Sequence, residues 1–155
     1  MQRRPSNKDP GDPKARAIKL LARREHSARE LKRKLEARGI GEAQASEAVA
    51  ELNREGWQSD ERYAEMLVRS RISQGFGPVR IAAELKMAGV PAEQIRAALE
   101  EAATDWRALA VEVHAKHFAA LPKTSAERAK QYRYLQGRGF DSSQISAALK
   151  GAVDE

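Results

Sequence analysis

L-E-A-R-G-I-G-E-A-Q-A-S-E-A-V, residues 35–49, returns 50 residues later as L-K-M-A-G-V-P-A-E-Q-I-R-A-A-L, residues 85–99. It returns after another 50 as L-Q-G-R-G-F-D-S-S-Q-I-S-A-A-L, residues 135–149. Leu35, Leu85 and Leu135 align, as do Gly39, Gly89 and Gly139. Ile40, Val90 and Phe140 fill the next apolar slot, followed by Gln44, Gln94 and Gln144, then Val49, Leu99 and Leu149. Each copy reads as a helix ending on a glycine in the left-handed conformation, an apolar residue under the turn, and a new helix packing back. A longer helix lies upstream of each corner. Three three-helix modules follow, each too small to hold a good core alone, so neighbours are expected to stack.

Outward from the repeat the chain reads as all-α. Ala, Leu, Arg, Glu, Lys and Gln dominate, and no stretch alternates with period two. Caps and periodicity place nine helices. The first runs from about Pro13 to Glu25 with Ile18, Leu21 and Ala22 inward. Ser27 with Glu30 forms a capping box for the second, which buries Leu31 and Leu35. The third spans about 41–54 on Ala45, Ala48, Val49 and Leu52. Ser59 and Asp60 cap the fourth, with Tyr63, Leu67, Val68 and Ile72 inward. Gly77-Pro78 opens the fifth (Ile81, Leu85) and Pro91 the sixth (Ile95, Ala98, Leu99). The seventh, about 105–121, buries Trp106, Leu109 and Val113. Thr124 with Glu127 and Asp141 with Gln144 cap the last two. The expected architecture is an elongated, curved row of modules 14–56, 57–104 and 105–152, roughly 60 Å long. Residues 1–13, with three prolines and few apolar side chains, read as a flexible tail.

The 155 residues carry 28 Lys and Arg against 22 Asp and Glu, a net charge of +6. Within Lys14–Arg38 ten basic residues face Glu25, Glu30 and Glu36, so this segment alone holds +7. Such a charge points to an anionic partner, nucleic acid or an acidic protein surface. Cysteine is absent, which excludes disulfides and thiolate metal sites. No apolar run reaches the ~18–20 residues of a membrane span, and no signal-peptide pattern opens the chain, so a cytoplasmic protein is expected.

Catalytic chemistry is poorly supplied. His114 and His117 lie three apart but lack a carboxylate to complete a metal set, and they read as semi-exposed histidines beside a core. His26 reads as a turn residue. Gly75-Phe76-Gly77-Pro78 lacks the Lys-Ser/Thr of a phosphate loop, and no G-x-S-x-G occurs. No enzyme, metal or cofactor is expected. Binding is better supplied. Arg16, Lys19 and Arg23 share a face of the first helix. Arg29, Lys32, Arg33 and Lys34 crowd the second; Arg69 and Arg71 lie on the fourth, Arg80 on the fifth, Arg133 and Arg138 on the eighth. A direct DNA reader is the alternative, since a three-helix module with a sharp turn is similar to a helix-turn-helix. Yet the third and sixth helices are acidic, leaving only the ninth (Ser142, Ser143, Gln144, Ser146) as a reader. Few aromatics are present to stack single-stranded bases.

Five ordered stretches carry a family resemblance: A-I-K-L-L-A-R-R-E-H-S-A-R-E-L-K-R-K-L from Ala17, D-E-R-Y-A from Asp60, V-R-S-R-I from Val68, G-F-G-P-V-R-I-A-A-E-L from Gly75 and Y-L-Q-G-R-G-F-D from Tyr134. Together they resemble the bacterial RecX family over about residues 14–150. The resemblance implies three tandem three-helix modules that bind the RecA recombinase. It implies that they lodge in the groove of the RecA–single-stranded-DNA filament, restraining its ATPase, strand exchange and co-protease functions. It implies no catalytic residues. The matched basic positions Arg23, Arg24, Arg29, Arg69, Arg71 and Arg80 become candidate contacts. Lys32, Arg33, Arg133 and Arg138 join them from the charge pattern alone. Single- or double-stranded DNA is a further expected contact, no membrane is, and the chain is expected to be monomeric.

Overall fold

The computed structural model describes residues 11–150, and the expected tail lies mostly outside them. Nine helices and no strand occur among the described residues. They are α1 (Pro13–Leu21), α2 (Ala28–Ala37), α3 (Glu42–Arg54), α4 (Asp60–Ser73), α5 (Pro78–Met87), α6 (Ala92–Glu101), α7 (Trp106–His117), α8 (Ser125–Gly137) and α9 (Ser142–Lys150).

The caps explain most boundaries. Ser27 Oγ accepts from Glu30 N (3.1 Å), and Thr124 Oγ1 from Glu127 N (3.1 Å). At α9 the box is reciprocal. Asp141 Oδ1 accepts from Gln144 N at 2.8 Å, and Gln144 Oε1 accepts from Asp141 N at 2.9 Å. The equivalent Gln94 Oε1 is buried without a partner. Fifty residues before Asp141 stands Pro91, whose nitrogen has no hydrogen to donate.

Helix ends follow the glycines. Gly39, Gly89 and Gly139 have φ of +91°, +85° and +100°. After α2, Ile40 N donates to Leu35 O and Gly39 N to Glu36 O, the paired bonds of a Schellman turn. The residues under the three turns, Ile40, Val90 and Phe140, are buried as expected. Two helices are shorter than their sequence suggests. α1 stops at Leu21, and α7 stops at His117 where Phe118 turns extended.

The described chain packs as two compact units. One holds the chain through Tyr63 together with Ala88–Val90; the other holds Ala64–Met87 and the chain from Pro91. In the first, Ala17, Leu31, Leu35, Ile40, Ala45, Ala48, Val49 and Leu52 form the core, with Ile18 and Leu21 packed against it. In the second, Ala110, Val113, Leu135, Phe140, Ile145, Ala148 and Leu149 form a core. Ile72, Leu99, Leu109 and Trp106, expected inward, are only half-buried.

Each unit contains one seam in which a repeat glycine meets the start of an earlier helix. In the second unit Gly77 N donates to Arg138 O (2.8 Å) and Val79 N to Gly139 O (2.9 Å). In the first unit a side chain at Gly89 would meet Arg29 Nε at 2.9 Å. At Gly39 an added Cβ would touch nothing within 4 Å. Identical turns therefore carry different packing duties.

A candidate cationic interface

The ten basic residues singled out by sequence separate into two groups. Several serve the fold. Arg24 pairs with Glu30 (2.7 Å) and donates to Glu25 O (2.8 Å). Burial works against the Glu30 carboxylate, but the Arg24 hydrogen bond and charge overcome it and hold its pKa below the ordinary 4.5. The same bond raises the pKa of Arg24. Arg71 Nε lies 2.9 and 3.1 Å from the two carboxylate oxygens of Glu84. Lys32 reaches Glu42 at 3.4 Å, a long and exposed pair of little energetic weight.

Arg80 and Arg138 close on the Phe76 ring, with guanidinium carbons 4.1 and 4.0 Å from its centroid. Arg138 also donates to the carbonyls of Gln74 and Gly75, and Arg80 to that of Gly137. These two arginines join α5, the α8–α9 turn and the α4–α5 turn of one unit. Arg29 lies against Gly89. The remainder, Arg23, Arg33, Arg69 and Arg133, are exposed and hold no side-chain partner among the described residues. Sequence reasoning left Arg38 out of the cationic set. Its signal was its place immediately before a helix-ending glycine, where the chain bends back toward α1.

The histidines do not converge. His114 is buried, and its Nε2 meets Gln131 Oε1 at 2.6 Å; it is not the semi-exposed residue expected. His117 stacks on Tyr134 with centroids 3.8 Å apart. No group of three His, Cys, Asp or Glu side chains able to hold a metal ion occurs among the described residues. No described helix is long and apolar enough to cross a membrane. Two polar side chains of α9 are engaged within the fold, since Gln144 Oε1 serves the cap and Ser143 Oγ accepts from Arg107 (2.7 Å).

His26 is 1% exposed, though its sequence context suggested only a turn. It stands 50 residues before Phe76, at the same place in the repeat. Its Nδ1 is 2.9 Å from Arg24 O and its Nε2 2.9 Å from Lys34 Nζ. The carbonyl requires a proton on Nδ1, so Nε2 accepts from the ammonium and the neutral ring satisfies both. Gln58 Nε2 donates to His26 O (3.2 Å) and to Asp60 Oδ1 (3.1 Å), and Asp60 Oδ1 also takes Ala28 N (2.8 Å). Burial, aided by the charges of Arg24 and Lys34 and opposed by the Arg24 carbonyl and Glu30, holds the imidazole below its ordinary pKa of 6.5.

A depressed histidine pKa means the unfolded chain binds the proton first, so stability is full above about pH 6.5 and falls as pH drops below it. We expect the urea midpoint to decrease between pH 7.5 and 5.5, and His26→Gln to flatten that decrease. Glu30 contributes only at lower pH, below its ordinary 4.5. An unchanged pH dependence in the variant would remove His26 from this role.

Comparison with known proteins covers the whole described region. The family model for the first three-helix domain of RecX matches residues 14–52, that for the second 59–99 and that for the third 105–149. A regulatory protein RecX of Stenotrophomonas maltophilia is 42% identical over 155 residues, covering 99% of this chain and 93% of that protein. One of Chromohalobacter salexigens is 46% identical over 140 residues, covering 90% and 92%. The crystal structure of RecX from Lactobacillus salivarius superposes with a TM-score of 0.74 at 22% identity, covering 91% of this chain and 94% of that one. All three tandem helical domains and their order are thus matched in sequence, and the chain belongs to the RecX family of regulatory proteins.

Proposed function

We propose that this chain is a non-enzymatic regulator of the RecA recombinase. It acts in the cytoplasm as a monomer, binding in the helical groove of the RecA–single-stranded-DNA filament. There it restrains ATP hydrolysis, strand exchange and co-protease activity. Residues 14–56, 57–104 and 105–152 serve as the three binding modules. The observation that carries the reading is the match of all three domains to regulatory relatives over nearly the full chain. The partnerless cations support it. Arg23 and Arg33 belong to the first matched stretch or its immediate surroundings, Arg69 to the second and Arg133 to the third. Each is a weak contact alone, and linked contacts on one partner multiply.

The test is the ATPase of RecA on circular single-stranded DNA. Wild-type chain is expected to slow it in proportion to added protein. The triple reversal Arg33→Glu, Arg69→Glu and Arg133→Glu is expected to require at least about tenfold more protein for the same slowing, with helicity unchanged. Arg71 is left intact because reversing it would face Glu84 with a like charge. Wild-type chain without effect at equimolar RecA would reject the reading. Equal potency of the triple variant would remove these cations from the interface.

A further inference from the structure

Alongside α1 and α2 of the first unit runs a groove of about 760 Å3. Its rim carries Arg16, Lys19, Arg23 and Arg38 against the single acid Asp12, and the Asp12 carboxylate already accepts from Ala15 N (3.2 Å). Its floor is aliphatic, with Leu20 and Leu35 among the lining residues. Lys19, Arg23 and Arg38 hold no side-chain partner among the described residues. Arg16 Nε is removed from solvent with no acceptor, which is costly for a cationic donor. Four cations converging on one concavity repel each other, and the buried donor lacks an oxygen. An occupant that supplies oxyanions relieves the repulsion among the exposed cations Lys19, Arg23 and Arg38.

We infer that the α1–α2 groove docks an acidic peptide segment of a protein partner, its carboxylates on the Arg16–Lys19–Arg23 ridge and an aliphatic side chain on the floor. Arg16 and Lys19 stand three apart on α1, which matches carboxylates three or four apart on a helical segment, and Arg23 lies just past the end of that helix. A nucleic acid fits less well, because no aromatic ring lines the groove to stack a base. The first ten residues of the chain are poor occupants, since Arg3, Arg4 and Lys8 outnumber Asp9 and repeat the charge of the rim. The inference rests on the proposed function only in taking the partner to be a protein, and its test uses no RecA, so either can fail alone.

The test is fluorescence anisotropy of a labelled peptide of three Glu-Leu-Glu-Glu repeats. A peptide of three Glu-Ser-Glu-Glu repeats and a twelve-nucleotide oligothymidylate serve as comparators. The leucine peptide is expected to bind at least about fivefold tighter than the serine peptide, reflecting burial of apolar surface. Lys19→Glu with Arg23→Glu should weaken it at least about tenfold, while Arg128→Glu with Lys130→Glu, of equal charge change but on α8, should alter it less than about twofold. Should the first pair lower helicity, Lys19→Gln with Arg23→Gln at unchanged helicity must still weaken binding. Equal binding of the leucine and serine peptides would overturn the inference. So would tighter binding of the oligothymidylate that is lost in the same variants, or indifference to both ridge pairs.

Discussion

Gly139→Ala should destabilise the second unit by about 3 kcal/mol or more, while Gly39→Ala should destabilise the first by only about 1 kcal/mol. Both glycines have positive φ and end a helix at the same place in the repeat. The shared penalty is the left-handed conformation forced on a residue with a Cβ. At Gly39 that is the whole penalty, because nothing lies within 4 Å of the new atom. At Gly139 the new Cβ would overlap the Arg80 side chain and come within 2.8 Å of its backbone nitrogen. Backbone cannot swing aside as a flexible side chain can. The seam must open, straining the bonds from Gly77 N to Arg138 O and from Val79 N to Gly139 O. Gly89 falls between the two, since its neighbour is largely the Arg29 side chain. Urea unfolding followed by far-UV circular dichroism checks the ordering. Equal losses at 39 and 139 would show that the seam does not constrain the turn.

Phe76→Ala is the second large effect, at about 2 kcal/mol from lost apolar burial and two cation–π contacts. With the ring gone, the Arg80 and Arg138 guanidinium groups face each other without the π-cloud that holds them together. Phe76→Leu restores apolar area but not the ring, so it should recover about half of the loss. Amide exchange at Gly77 and Val79 reports the effect locally, because those N–H groups bridge the seam. Exchange unchanged in the alanine variant would mean that the backbone bonds alone hold the joint.

The scaffold was legible because its signals are local. A helix stop needs a glycine, an apolar residue beneath it and a cap a few positions on, and those repeat at Leu35, Leu85 and Leu135. The reciprocal Asp141–Gln144 cap follows from two side chains three residues apart. The fate of the charges was not legible, because a cation's partner is chosen in three dimensions. Arg138 and Arg80 lie far apart in sequence, yet both close on Phe76. Arg71 and Glu84 belong to different helices. The burial of His26 likewise depends on Gln58 and Asp60, beyond the reach of helical spacing. Family resemblance aligned Arg71 and Arg80 with candidate contacts, but the fold gives both an internal duty. The residues left without one, Arg23, Arg33, Arg69 and Arg133, are exposed and form no ion pair or ring contact among the described residues.

Co-sedimentation tests the central claim most directly. RecA filaments are assembled on long single-stranded DNA with a slowly hydrolysed ATP analogue, mixed with this chain and pelleted. The chain should enter the pellet saturably with filaments and stay in the supernatant with DNA alone or RecA alone at ~150 mM salt, where screening weakens simple phosphate binding. Retention in the supernatant with filaments, or equal pelleting with bare DNA, would contradict it.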